Sequence, residues 1–133
     1  MTEDAVLKFL YYLLGSFQYC EAMVEELSCC IAKHGNEKRV FNMLIKRLRQ
    51  LADLGEIAIK LDGFERIDET IYSLHLQGND YNIRILYSFL PNKEPVLLLA
   101  FPERSNHRNT DYTTYLDPAR DRFHAVMEEY END

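Results

Sequence analysis

The stretch TIYSLHLQGNDYNIRILYSFLPNKEPVLLLAF, residues 70–101, decides the fold. Thr70–Leu76 is β-branched and aromatic in character, and Gln77-Gly78-Asn79-Asp80 is a turn signal. Tyr81–Phe89 then returns, so the pattern predicts a hairpin with a four-residue connection. In the return strand Tyr81, Ile83, Ile85, Tyr87 and Phe89 share one face at period two, and Asn82, Arg84, Leu86 and Ser88 share the other. Pro91-Asn92-Lys93 turns the chain again into Val96–Phe101, a continuous apolar run suited to a central strand.

Upstream the period changes. Cys20, Met23, Val24, Leu27 and Ile31 recur at helical spacing after Ser16, a possible cap, and Gly35 stops the run. Asn36 is placed to cap a second helix with the stripe Phe41, Leu44, Ile45, Leu48 and Leu51, ended by Gly55. A joint of about two residues makes the two helices antiparallel neighbours. Before them, Ala5–Leu13 is aromatic and apolar and reads as a buried strand, with a short helix as the alternative. Glu56–Leu61 is a weaker candidate strand. Downstream, 102–112 reads as a polar loop. Asp117 and Pro118 are natural cap and first residue of a last helix bearing Ala119, Phe123, Val126 and Tyr130. The result is an α+β fold, β-α-α-β-β-β-α, in one domain spanning 1–133. Its sheet is mostly antiparallel, with helices on one face and an open cleft on the other.

At 133 residues the chain can build a core without disulfide or metal staples. Hydrophobic residues at 47% and charged residues at 28% exclude wholesale disorder. A net charge of −7 argues against a simple cationic nucleic-acid binder. The charge is uneven, however. Residues 33–49 hold Lys33, Lys38, Arg39, Lys46, Arg47 and Arg49 against Glu37 alone. No apolar run approaches the roughly 20 residues that span a bilayer, and the start, Met1-Thr2-Glu3-Asp4, lacks the cationic character of a secretory signal. Three cysteines, two of them adjacent, make a poor disulfide framework, so reduced thiols in a cytoplasmic protein are expected.

The chemistry-bearing candidates lie on and beside the hairpin. Arg84 stands mid-strand on the face that should be open, where a solvated or ion-paired arginine is the plain reading. The loop after the last strand carries Glu103, Arg104, His107 and Arg108, and loops at strand ends commonly carry function. Arginine forks bind phosphate oxygens, and an imidazole moves protons near neutral pH. Tyr81 borders the expected cleft and offers a ring for base stacking. Cys30 and His34 are four apart on a helix, but no further pair has metal-ligand spacing. No glycine-rich phosphate loop, HExxH or GxSxG motif is present.

The run IYSLHL, turn, YNIRILYSF, turn, PVLLLAF resembles the RelE/HigB superfamily of bacterial toxins, in particular its phage-derived host-inhibition branch. That branch reads approximately "iyELR…yRilyf…vvlLhaFxKKtxk", and LIKRLRQLADLG upstream is similar to its "i…l..La..G". The resemblance implies a type II toxin acting as a metal-independent, ribosome-dependent mRNA endonuclease that inhibits translation. It implies no cofactor. Arg84, Arg104, His107 and Arg108 would then form the catalytic set, with the arginines stabilising the phosphate and His107 moving the proton. His75, Tyr81, Lys46, Arg47 and Arg49 would contact RNA. The implied partners are the ribosome, mRNA and a helix-turn-helix antitoxin. Glu103 stands where the family often has lysine, and Ser73 replaces its usual glutamate. The alternative is therefore a weak or inactive relative on the RelE/ParE scaffold that acts by binding proteins, as a gyrase-directed toxin or an adaptor does.

Overall fold

A computed structural model describes residues 1–32, 35–104 and 108–132, the side chains of 32 and 108–111 excepted. The chain runs through α1 (Glu3–Leu14), a two-residue strand β1 (Gln18–Tyr19), α2 (Glu21–Ala32) and α3 (Glu37–Leu54). A 3-10 helix (Gly55–Lys60) leads into β2 (Phe64–Arg66), β3 (Tyr72–Gln77), β4 (Asn82–Phe89) and β5 (Pro95–Pro102). The last element is α4 (Arg108–Asn132). Among the described residues the strands form one mostly antiparallel sheet in the order β1-β5-β4-β3-β2, with only β1 parallel to its neighbour.

The expected strand at 5–13 is a helix. The Thr2 hydroxyl accepts from the Ala5 amide at 3.1 Å, and Glu3 and Asp4 complement the dipole of the first turn. Val6, Leu10 and Leu14, spaced by one turn, are fully buried. Aromatic β propensity thus yields to helical burial and a cap. The candidate strand at 56–61 is likewise replaced by the 3-10 helix, and β2 follows a turn at Gly63. Gly63 has φ +92°, and a Cβ there would strike the Arg47 guanidinium.

The hairpin stands as expected. Its pairs run from Tyr72↔Tyr87 to Gln77↔Asn82, including His75↔Arg84, and the connection is shifted one residue, to 78–81. The odd face of β4 packs Ile83, Ile85 and Tyr87 against α1, α2 and α3 through Leu10, Leu27, Leu44 and Leu48. In α3 the predicted stripe holds for Phe41, Leu44, Leu48 and Leu51, with Val40 added and Ile45 only half-buried. Asn36 precedes α3 but makes no side-chain cap; its amide donates to the Asp80 carbonyl at 3.4 Å instead.

The other face of the sheet is not an open cleft. α4 lies across it, and Tyr112, Tyr115, Leu116, Ala119 and Phe123 pack on Ile71, Leu86, Leu98 and Phe101. This is why β4 is buried from Ile83 to Ser88 on both sides. A β-bulge shifts the register at Leu86/Tyr87, so that Leu86 faces Leu99 and Tyr87 faces Leu97. The expected loop at 102–112 and the expected helix start at Asp117 are also corrected. α4 begins at Arg108 and continues through Pro118, because burial of Tyr112 and Ala119 outweighs the one hydrogen bond a proline removes.

Since β1 is so short, the outer edge of β5 is plugged by side chains. The Ala100 amide donates to Glu26 Oε1 at 3.2 Å, and Arg122 donates to the Leu98 carbonyl at 2.8 Å. The same arginine pairs with both Glu26 carboxylate oxygens at 2.7 and 2.8 Å. A strand edge left bare invites foreign pairing, and this clasp covers it. Among the described residues no helix is long and apolar enough to cross a membrane.

Candidate functional site

Strand register assembles a polar cluster on the face that α4 covers. Glu65 of β2 pairs with Ser73 of β3, while His75 of β3 pairs with Arg84 of β4, which pairs with Phe101 of β5. All these side chains therefore rise on one side of the sheet. Glu103 joins them from just past β5, where its amide donates to the Asn82 carbonyl at 2.8 Å.

Arg84 is the hub. Its Nε donates to Glu103 Oε2, and the two side chains are 9% and 5% exposed. Nη1 lies 3.6 Å from Glu65 Oε1 and donates to Ser73 Oγ at 3.5 Å. The guanidinium carbon sits 5.9 Å from the centre of the Tyr112 ring, which closes the site from α4. The Tyr112 hydroxyl donates to Glu65 Oε1 at 2.8 Å and lies 3.2 Å from Ser73 Oγ. Burial pushes that phenol above its ordinary value, and Arg84 and Ser73 oppose the shift only in part. Buried charge is tolerable when it is paired and hydrogen-bonded, and Arg84 is both.

His75 flanks the pair. Its Nε2 is hydrogen-bonded to Asn82 Oδ1 and lies 3.7 Å from Glu103 Oε2. Burial lowers its pKa, and the nearby Arg84 charge adds to that effect against Asn82 and Glu103. The imidazole is thus held neutral at pH 7.

The expected catalytic set is only partly assembled. Arg84 meets the start of the 103–108 segment through Glu103, whereas Arg104 is exposed. His107 and the side chain of Arg108 lie outside the described residues, as does His34 of the Cys30/His34 pair. The face around Arg84 is closed rather than open, and of the solvated and ion-paired readings the ion-paired one holds: Tyr112 roofs the side chain and Glu103 neutralises it.

The expected RNA-contact residues divide in two. Lys46 and Arg49 are exposed on the outer side of α3. Arg47 points inward: it donates to the His75 carbonyl and to Gln50 Oε1, each at 3.0 Å, and lies 5.6 Å from the Phe64 ring centre. Tyr81 is half-buried over Gly78, in a depression that Arg39 and Lys46 also line. The sequence places Asn82 on the Arg84 face without singling it out for the site, and it singles out neither Glu65 nor Tyr112. Asn82 was recoverable, since it sits two residues before Arg84 on the same strand face. Glu65 and Tyr112 join only through long-range register.

No protein-family model matches this chain, and no curated protein is significantly similar to it.

Proposed function

We propose that this chain is a toxin-type domain on a RelE/HigB-like scaffold that acts by binding proteins, with Arg84 serving the fold rather than cutting RNA. The observation that carries this reading is the commitment of Arg84 to Glu103 and Glu65 beneath Tyr112. A phosphate entering there would have to displace a carboxylate that is 5% exposed. Support for the scaffold comes from the order of elements after α1: a strand, two helices, an antiparallel run and a closing helix. The natural partner of such a domain is a cognate antitoxin of the helix-turn-helix type, in the cytoplasm; this partner and location rest on analogy with the resembled family.

His75 favours a second reading, the metal-independent, ribosome-dependent mRNA endonuclease. A neutral imidazole beside a carboxylate and an arginine is suited to proton transfer, with Lys46 and Arg49 available to ribosomal RNA. Expression in a bacterial host with mapping of transcript 5′ ends separates the two. Intact transcripts with the wild-type chain are expected of the protein-binding domain. New 5′ ends that disappear in His75→Gln would establish the endonuclease.

A further inference from the structure

We infer that the groove between α1 and α3 is a docking surface for an acidic amphipathic helix of a partner protein. This rests on the protein-binding reading above and names the partner's chemistry. The buried stripe of α1 is Val6, Leu10 and Leu14, and beside it Phe9 and Tyr12 form a second aromatic stripe that stays exposed to solvent. Tyr12 is 78% exposed, and Phe9 lies 6.1 Å from it and 4.6 Å from Phe41, ring centre to ring centre.

Beside this stripe lies a groove of about 580 Å³, with Tyr12, Leu13, Phe17, Ile45, Leu48 and Arg49 among its walls. Arg49 is shared with an adjoining depression that holds Lys46, Gln50 and Asp53. Among the described residues neither Lys46 nor Arg49 is held in an ion pair.

An apolar groove with Arg49 on the α3 rim and Lys46 next to it is locally complementary to a helix with leucines on one face and glutamates beside them. Six apolar or aromatic residues line the groove against the single cation Arg49, and Lys46 in the adjoining depression is offset by Asp53; that balance suits a helix better than a phosphate backbone, whose binding scales with the number of cations. Tyr12 and Arg49 are of the residue types that anchor interfaces.

The test is an NMR titration of the isotopically labelled full chain with a synthetic helical peptide bearing leucines on one face and glutamates on its flanks. Shifts confined to residues 9–17 and 45–52 are expected. Tyr12→Ala and Arg49→Glu, both at exposed positions outside the core, should each weaken binding roughly tenfold. Equal binding of a lysine-flanked twin peptide, or shifts elsewhere, overturns the proposal. So does a preference of this face for a uridine homopolymer, for anionic vesicles or for a second copy of the chain. Transcript mapping is a separate readout. An unbound peptide with intact transcripts removes the groove alone, whereas cut transcripts remove the protein-binding reading itself.

Discussion

Arg84 and Glu103 form an ion pair at one end of the sheet, the arginine from the middle of β4 and the glutamate from just beyond β5. The pair replaces a cation facing solvent with an internal salt of the fold. Glu65 and Ser73 complete the hydrogen bonding, and Tyr112 seals it. Placing α4 over the sheet thereby becomes compatible with an arginine beneath it.

Tyr112→Phe keeps the ring over Arg84 but removes the hydroxyl from Glu65 and Ser73. The expected loss in urea unfolding is about 1–2 kcal/mol, the cost of unmade bonds in a buried site.

His75 gives the fold a pH dependence near neutrality. Its folded pKa is lowered, so the unfolded chain binds the proton more readily, and stability falls as pH drops below about 6.5. Unfolding free energies at pH 7.5 and 5.5 should differ more for the wild type than for His75→Gln. An equal pH response in both proteins would assign the slope elsewhere.

Asp68 acts in a more acidic window. Against the cost of its own burial, the Ile71 amide, Arg120 and the Thr70 amide hold its carboxyl below the usual range. The stability it adds is present above about pH 4 and is lost as pH falls through the folded value. Asp68→Asn should lower stability at pH 7 and flatten the acid limb of the stability curve.

The Arg122–Glu26 clasp shields the edge of β5. Arg122→Met should expose the Leu98 carbonyl and promote self-association, read as a rise in sedimenting mass with concentration. A variant that stays monomeric throughout would show that β1 alone suffices.

The hairpin was legible because alternation sets register directly: Ile83, Ile85 and Tyr87 face the main core, and Leu86 faces the other side. α1 was not, since an apolar and aromatic run interrupted only by Lys8 satisfies strand and helix periods alike, and only burial of Val6, Leu10 and Leu14 separates them. Covering of the second face was foreshadowed by Leu86 and by the apolar continuity of Val96–Phe101, which needs apolar neighbours on both sides. Reading Asp117-Pro118 as a helix start hid this, because it left Tyr112 in a loop. At the candidate site, Arg84 and Glu103 were visible as charges beside strands. Their closure was not visible, because Tyr112 comes from 28 residues beyond Arg84 and Glu65 from a three-residue strand.

A double-mutant cycle on Arg84→Met and Glu103→Gln tests the closed ion pair most directly. Each single change should cost about 3–5 kcal/mol in urea unfolding by leaving a buried partner behind. The double variant should lose far less than the sum, with a coupling near the top of the ~0.5–3 kcal/mol range for contacting residues. Small, additive losses would contradict the account, because they would mean that Arg84 faces water and is available to a phosphate.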